Sequence, residues 1–500
     1  MEINPSLSEF MKVPLKKNLI VFSCKFYCDY LTPVSLYTRT SEFSYGESFL
    51  LESVEGGEKI SRFSFIGAHS LVTFKSRGEK IYIEKEKKKK MFITKKDPLS
   101  ELKKLMEEFR LWPKKYLRFF GGFVGYLGYD VIKFYEPVGE FPAKTINTFD
   151  SYFILPKFLI IFDHIEKQVE VLSFFFLDKR QGLNRVYKKE ANIMKRLINH
   201  ITIPSRLSPL DSDSSIKKRG LLRKRRFKLT SNLKKTQFLE AVKIAKRYIK
   251  EGEIIQVVLS NRISVKFSKN PFLVYRHLRI LNPSPYMYYL DFGDTKIVGS
   301  SPEMLLRCER KHLVTRPIAG TRPRGKSEEE DRKLAKELLS DKKECAEHLM
   351  LVDLGRNDLG RVAKRGTVKV PIFMSIERFS HVMHIVSEVQ AILDNKEDMI
   401  SALKACFPAG TVTGAPKVRA MQIINELEPQ ARGIYAGCIG YFSFTKALDT
   451  CIIIRTIIFT NNRAYVQAGA GIVADSKPLK EYREILNKAR AQLLALKKAY

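Results

Sequence analysis

Two pairs of glutamates recur at the same spacing in distant parts of this 500-residue chain. Glu344 and Glu347 follow an aspartate suited to capping a helix, and Glu481 and Glu484 follow Pro478, a residue suited to a first helical turn. Carboxylates three positions apart lie on one face of a helix. Two such helices could converge on one hard divalent cation, which prefers oxygen ligands. From the spacing alone, however, solvent exposure is the preferred interpretation, since paired glutamates on exposed helix faces usually face solvent.

A second set of residues is suited to binding an anion. Arg455 can clamp a carboxylate through two parallel hydrogen bonds. The glycines of Gly469-Ala470-Gly471 let backbone N–H groups approach an anion closely, and Gly320-Thr321 and Thr411 lie in similar segments. A turn at the end of a strand would also explain the glycines. Residues 407–414 lack the spacing of a Walker phosphate loop, so they do not indicate a nucleotide site.

Two further features have plainer interpretations. His384 lies among apolar residues, where a lone histidine is more often a hydrogen-bonded core residue than a ligand. The glycine-rich run 121–130 is not followed by a helix and an acidic residue at the dinucleotide-binding spacing. Glycines there are better explained by tight packing between strands.

The elements that must position these residues divide the chain into two parts. Residues 1–203 alternate short β-type runs with turns, and residues 233–500 mix helical patterns with several β runs. Residues 204–232, rich in serine and proline and then in basic residues, have the composition of a linker. Regular βαβ alternation is absent, which predicts an α+β fold with mostly antiparallel sheets packed face to face and helices outside. We expect the two parts to intertwine.

Individual elements can also be placed from local patterns. Helices are predicted over residues 98–109 and over a second segment that Gly252 ends. Strands are predicted over residues 254–259, 287–292 and 452–459.

The composition is strongly basic, with 88 Lys and Arg against 54 Asp and Glu, a net charge of +34. Such a surface raises the hypothesis of nucleic-acid binding. However, the densest basic runs, 84–96 and 217–228, lack interleaved aromatic residues and accompany no nucleic-acid-binding motif. A solvated lysine-rich surface, which would also attract an anionic substrate, is the preferred interpretation.

Membrane insertion and disulfide bonding are not expected. No apolar run approaches the about 20 residues of a membrane span, and the N-terminal residues lack a signal-peptide core. We therefore expect a cytoplasmic protein. The seven scattered cysteines fit reduced, mostly buried thiols.

From about Leu229 to Leu496 the chain resembles the chorismate-binding region of the anthranilate synthase large component, a chorismate-utilising enzyme family. The segments that carry this resemblance are Ile255–Ser260, Gly299–Glu303, Pro317–Thr321, Leu349–Asp358, Asp449–Ile452 and Gln467–Gly471. They are long and specific, so the resemblance changes how the isolated residues above are interpreted.

The resemblance implies a magnesium site. Glu347 and Glu484 would bind Mg²⁺, with Glu344 and Glu481 completing the acidic environment. The metal would act as a Lewis acid and a template. Two lysines in the stretch before Glu484, which is often acidic in the family, are a departure that would weaken metal binding unless they point outward.

The resemblance also implies roles around the substrate. Glu303 would protonate the departing C4 hydroxyl of chorismate, and His384 and Thr411 would line the ring. The residues implied to hold chorismate are Gly320, Thr321, Tyr435, Arg455, Gly469, Ala470 and Gly471.

Two positions discriminate within the family. Relatives that add water to chorismate carry a lysine where Gln256 stands, and relatives that aminate it at C4 commonly carry a lysine where Ala319 stands. Both residues therefore favour amination at C2 by ammonia, followed by elimination of pyruvate. The alternative is a 4-amino-4-deoxychorismate synthase component I.

The resemblance also implies a regulatory ligand and a partner subunit. Glu52-Ser53 and Pro285-Tyr286-Met287 resemble segments that bind inhibitory tryptophan, although a strand and a proline turn would explain them too. The last predicted helix runs to the end of the chain, so no glutaminase module is expected. Ammonia would then come from a separate glutamine amidotransferase subunit in a hetero-oligomer.

Overall fold

The structure, a computed structural model, describes residues 2–14, 16–53, 62–86, 88–113, 119–177, 182–203, 227–379 and 382–500. Most of the predicted linker, residues 204–226, lies outside these described residues. The domain boundary proposed there stays a prediction.

Helices occur in both parts of the chain. Those in the described ranges are α1 Leu7–Phe10, α2 Pro33–Phe43, α3 Pro98–Glu107, α4 Leu183–Thr202, α5 Lys235–Lys250, α6 Pro271–Leu281, α7 Glu328–Ser340, α8 Lys342–Gly360, α9 Met399–Cys406, α10 Lys417–Leu427 and α11 Pro478–Ala499. Two short 3₁₀ segments span Tyr129–Phe134 and Gly410–Val412.

The strands also come from both parts. Those of the first part are β1 Leu19–Tyr27, β2 Ser48–Glu52, β3 Phe63–Arg77, β4 Lys80–Lys85, β5 Lys88–Ile93, β6 Leu111–Trp112, β7 Gly122–Leu127, β8 Ser151–Asp163 and β9 Gln168–Phe176. Those that follow are β10 Thr230–Ser231, β11 Gln256–Lys266, β12 Tyr286–Phe292, β13 Thr295–Ser301, β14 Met304–Glu309, β15 His312–Thr315, β16 Ile318–Pro323, β17 Lys369–Arg378, β18 Val382–Ile392, β19 Gly414–Ala415, β20 Cys438–Ser443, β21 Leu448–Ile452, β22 Thr456–Thr460 and β23 Arg463–Ile472.

The strands pair almost entirely antiparallel. Among the described residues only β1 and β6 run parallel. Two pairings join the halves of the chain: β2 pairs with β12, and β7 pairs with β20. The predicted α+β class with mainly antiparallel strands is confirmed, and the cross-pairing confirms that the two parts intertwine.

Successive side chains of a strand point to opposite faces of the sheet, and the two faces contribute to two different hydrophobic cores. In β12, Tyr288, Leu290 and Phe292 contribute to one core, whereas Met287 and Tyr289 contribute to the other. This is the period-two pattern of a strand buried on both faces. Each fully buried side chain of this size contributes about 1.5–3 kcal/mol. Both cores draw residues from before and after position 204, and the second is covered largely by helices.

The predictions for individual elements were correct where local signals decide. Helix α3 begins after Asp97, whose side chain accepts from the Ser100 N–H, and α5 ends at Lys250, shortly before Gly252 at φ +79°. The predicted strand over residues 452–459 was wrong. It breaks into β21 and β22 because Arg455 adopts φ +53°, a left-handed conformation that interrupts an extended chain.

No helix among the described residues combines the length and the apolar character needed to cross a membrane.

Candidate active site

Helix α8 carries the first glutamate pair. Asp341 accepts hydrogen bonds from the N–H groups of Lys343 and Glu344, so the predicted cap fixes where the helix begins. Burial raises the pKa of Glu347, and the negative charges of Glu344 and Glu484 raise it further. The charge effect of Glu484 on Glu347 means that α8 and α11 bring their carboxylates near one another.

Helix α11 carries the second pair. Pro478 occupies its first turn, as the sequence predicts, and Glu481 is buried. Burial raises the pKa of Glu481, with a further rise from Glu484 and a compensating hydrogen bond from Ser476. Repulsion among these carboxylates would be relieved by a cation.

Lys488 already places a positive charge beside the glutamates of α8 and α11. Lys488 Nζ lies 2.7 Å from Glu484 Oε1 and donates to the Gly469 carbonyl at 3.1 Å. Within the described ranges, no three or more histidine, cysteine or acidic side chains are arranged to hold a metal ion by themselves. Mg²⁺ commonly binds through one or two carboxylates together with water and substrate oxygens. Glu347 and Glu484 supply two such carboxylates and fit that ion, which would compete with Lys488 for Glu484.

The floor of the site is formed where β11 pairs with β23. Val258 lies opposite Gly471, and a Cβ added to Gly471 would come 2.4 Å from Gln256 Nε2. Gln256 Nε2 also donates to Glu347 Oε1 at 3.3 Å, whereas its Oε1 is buried without a hydrogen-bond partner. Gln256, Gly471 and Glu347 are thus immediate neighbours, although 91 residues separate Gln256 from Glu347.

Tyr435 and Arg455 lie along the same surface. A Cβ on Gly469 would come 2.9 Å from the Tyr435 hydroxyl oxygen, so glycine is needed for this close approach. Burial raises the pKa of Tyr435 to about 12, which keeps the phenol protonated as a donor. Arg455, which has φ +53° at the break between β21 and β22, donates a hydrogen bond to the Lys488 carbonyl. Ala470, between the two glycines, is buried.

Gly320, Thr321 and His384 form a further group of contacts. His384 Nδ1 lies 2.7 Å from the Gly320 carbonyl and 3.2 Å from Thr321 Oγ1. Since a carbonyl only accepts, Nδ1 is assigned the proton and Nε2 is left as an acceptor. Burial lowers the pKa of His384, which favours this neutral form. A Cβ on Gly320 would lie 3.3 Å from Glu344 Oε2, so this group adjoins the acidic helix.

Glu303 has the most strongly altered acidity in the site. Burial raises its pKa to about 8. Thr411 adjoins the Glu303 carboxyl and partly offsets this rise, yet the buried Thr411 hydroxyl makes no hydrogen bond of good geometry. Both residues line a small internal cavity beside Leu354 and Ile452. Burial thus favours the neutral carboxylic acid form of Glu303 near pH 7.

The segments predicted to bind tryptophan also meet. Glu52 pairs with Met287 in the β2–β12 ladder, which places Ser53 beside the turn that contains Pro285. Ser53 Oγ is buried without a hydrogen-bond partner. The carboxylate of Glu52, in contrast, already receives hydrogen bonds from Tyr275 and Arg279.

Tyr286 contacts the strands beyond this turn. Its hydroxyl donates to Asp449 Oδ1 at 3.0 Å, and Asp449 also pairs with Arg307 at 2.8 Å. The side chain of Tyr286 is therefore already engaged within the protein.

Two residues of the site were missed by the sequence analysis. Lys488 follows Glu484 at the i,i+4 spacing of a helical ion pair, a signal that was available. Arg432 is almost fully buried against Glu428, also at i,i+4, and contacts the ring of Tyr435. Its apolar and glycine neighbours gave no indication that a charged side chain would be enclosed.

Residues 47–494 match the family described as chorismate binding enzyme. The chain belongs to this family. An anthranilate synthase component 1 from Aquifex aeolicus (strain VF5) is 47% identical over 99% of this chain and 98% of its own length. The corresponding protein from Acetivibrio thermocellus is 45% identical over 99% of each chain.

Solved structures share this fold. The crystal structure of anthranilate synthase component I from Streptococcus pneumoniae TIGR4 is 39% identical, with a TM-score of 0.74 over 87% of this chain and 92% of that one. The menaquinone-specific isochorismate synthase of Escherichia coli is 22% identical with a TM-score of 0.72, covering 98% of both chains, which shows a shared fold. The resemblance to the anthranilate synthase large component is confirmed.

Proposed function

We propose that this chain converts chorismate and ammonia to anthranilate, pyruvate and water. Ammonia would attack C2 of the ring, the C4 hydroxyl would leave, and pyruvate would then be eliminated. The full-length similarity to anthranilate synthase component 1 proteins supports this proposal. The observation that carries it is the buried Glu303, whose pKa of about 8 makes it a proton donor at neutral pH.

The acid step uses Glu303. Its proton passes to the C4 hydroxyl, which then departs as water rather than as hydroxide. Thr411, next to the carboxyl, stabilises the glutamate anion that remains, since it favours the ionised form. A carboxylic acid with its usual pKa would be ionised near neutrality and unable to donate.

The choice of nucleophile rests on Gln256. A primary amide cannot remove a proton from water, whereas ammonia attacks without such help. The buried Gln256 Oε1 has no partner and is available to accept a hydrogen bond from an N–H group. Because Gln256 also donates to Glu347, its amide is held beside the acidic helix.

Substrate carboxylates would be held by Arg455, the Tyr435 hydroxyl and the backbone of Gly469 and Gly471. These groups lie along one surface, and side chains at either glycine would obstruct it. Neutral His384, whose Nδ1 donates to the Gly320 carbonyl, would be an uncharged contact for the substrate.

Mg²⁺ would be held by Glu347 and Glu484 and, when bound, would polarise a substrate carboxylate. Replacement Glu347→Gln removes a charged oxygen ligand, so magnesium-dependent turnover should be lost while the fold persists. Magnesium binding measured by calorimetry and the melting temperature would test both parts. Asp353→Asn, an exposed change on the same helix, is the control. Unchanged magnesium affinity in Glu347→Gln would contradict the metal assignment.

The alternative product is 4-amino-4-deoxychorismate. Ala319 in β16 offers no amine of the kind that C4-aminating relatives carry there, which favours anthranilate. We further propose feedback inhibition by tryptophan at the β2–β12 junction and ammonia supply by a glutamine amidotransferase subunit. The component 1 names of the relatives support a partner component.

The direct test is to incubate the purified chain with chorismate, magnesium chloride and ammonium at about pH 8, where part of Glu303 still carries its proton. Anthranilate, identified by its fluorescence and by chromatography, should be the main product. Isochorismate, salicylate or 4-amino-4-deoxychorismate as the main species would overturn the proposal and identify which relative's chemistry is used.

A further inference from the structure

Arg432 is an enclosed charge that the mechanism above does not use. Only 1% of its side chain is exposed. Its Nε and one terminal nitrogen donate to the two oxygens of Glu428 at 3.0 and 2.6 Å. Burial lowers the pKa of Arg432, but the Glu428 carboxylate more than offsets this effect, so the pKa is raised and the guanidinium stays charged.

The remaining donors of Arg432 reach two segments of the site. Nη1 donates to the Val412 carbonyl and Nη2 to the Val258 carbonyl, both at 2.7 Å. Val412 directly follows Thr411, and Val258 is two residues beyond Gln256 in β11. One planar group therefore joins the turn that carries Thr411 to the strand that carries Gln256.

The guanidinium also contacts two aromatic rings. Its central carbon is 4.9 Å from the ring centre of Tyr129 and 5.6 Å from that of Tyr435. The Tyr435 N–H donates to the Arg432 carbonyl at 3.3 Å as well. The hydroxyl of the same tyrosine adjoins Gly469.

Glu428 extends these contacts to β23. Its Oε1 accepts from the backbone N–H and the hydroxyl of Ser260, both at 2.8 Å. Ser260 Oγ in turn accepts from Gln467 Nε2 at 2.8 Å. Gln467 lies two residues before Gly469, in the strand that ends in the predicted substrate-binding glycines.

We propose that Arg432 is a positioning residue that holds Thr411, Gln256 and Tyr435 in one arrangement for the substrate. The inference rests on the proposed function, in which Tyr435 holds a substrate carboxylate, Gln256 meets the nucleophile and Thr411 supports Glu303. Arginine is required because a lysine ammonium cannot make two parallel hydrogen bonds to a carboxylate and also donate to two separate carbonyls.

The test is Arg432→Lys in the full chain, assayed with chorismate, magnesium and saturating ammonium. The chorismate KM should rise at least tenfold, because the groups that meet the substrate lose their common anchor. A contribution to folding alone would reduce the fraction of active molecules, lowering kcat and leaving KM unchanged. Lys157→Met, which breaks a partly buried ion pair between β8 and Glu190 of α4, is the control and should leave KM unchanged.

Glu428→Gln covers the case in which Arg432→Lys does not fold, because it keeps arginine and its bonds to both carbonyls. It should raise the chorismate KM by a smaller factor. A folded Arg432→Lys with wild-type KM, or an unfolded one together with wild-type KM in Glu428→Gln, would overturn the inference. A wild-type chain that yields no anthranilate would instead overturn the proposed function.

Discussion

At the residue level, the raised pKa of Glu303 has a consequence for rate. Its pKa of about 8 predicts that kcat/KM falls as pH rises through about 8, because the acid loses its proton. The free ammonia concentration must be held constant across the series, since ammonium also titrates. Glu303→Gln should lower kcat by roughly 10²–10⁴ and remove this alkaline decline. An unchanged decline in the variant would show that another group titrates.

The raised pKa of Glu303 also affects the free energy of unfolding. Glu303 has a pKa raised from 4.5 to about 8 in the folded chain, so the native state holds its proton more tightly than the unfolded state. The free energy of unfolding of the wild type should therefore decrease as pH rises from about 4.5 to about 8. Glu303→Gln escapes this loss and should be more stable by on the order of 1–3 kcal/mol at about pH 7. Denaturant titrations at about pH 4 and pH 7 measure the difference, which should vanish at the lower pH.

Gly471 tests the close packing of the site floor. Its φ is not left-handed, so alanine is allowed by the backbone, but the new Cβ would lie 2.4 Å from Gln256 Nε2. Gly471→Ala should displace the Gln256 amide and lower kcat/KM for chorismate by about tenfold or more, with little change in melting temperature. Gly360→Ala, at a position with open space around it, is the matched control. Equal activities in the two variants would contradict the proposed position of Gln256.

At the level of elements, the β2–β12 pairing connects the two segments proposed to bind tryptophan. Ser53→Ala removes a buried hydroxyl without a partner in the protein, so folding should be unaffected. The tryptophan inhibition constant should rise by about 2–10-fold, the effect of one hydrogen bond, and uninhibited turnover should be nearly unchanged. Ser48→Ala, a change in β2 that loses a hydrogen bond to Tyr37 of α2, should leave inhibition intact. A wild-type enzyme indifferent to tryptophan would rule out this regulatory site.

The elements also explain which parts of the site were predictable. Asp341 and Pro478 fix helix starts through local chemistry, so the glutamate pairs were placed correctly on helical faces. The bonds of Arg432 to Val412 and Val258 depend on contacts between distant segments, and no local pattern specifies such contacts. The break at Arg455 was missed for a related reason, because the surrounding isoleucines favour an uninterrupted strand.

At the level of the whole molecule, the intertwined halves predict how fragments behave. Residues 227–500 alone would leave β12 and β20 without their partners β2 and β7 and would expose apolar faces of both cores. This fragment should be insoluble or lack fixed tertiary structure by near-ultraviolet circular dichroism. Coexpression with residues 1–203 should restore folding and chorismate turnover.

Phe442→Asp provides the control for complementation. Phe442 is buried and lies opposite Phe123 in the β7–β20 ladder, so a charge there should prevent the fragments from associating. A C-terminal fragment that folds and is active alone would contradict the proposed interdependence.

The two strands of the β7–β20 ladder are synthesised at widely separated times, because they lie far apart in the sequence. Cys438 is translated about 310 residues after its strand partner Leu127. At about 5–20 residues per second, one edge of β7 leaves the ribosome roughly 15–60 s before β20 exists. Through that interval the glycine-rich edge of β7, with Phe123, offers a binding surface to chaperones and to other nascent chains. Slower initiation at lower temperature should raise the soluble yield of this protein, because fewer incomplete chains would then meet.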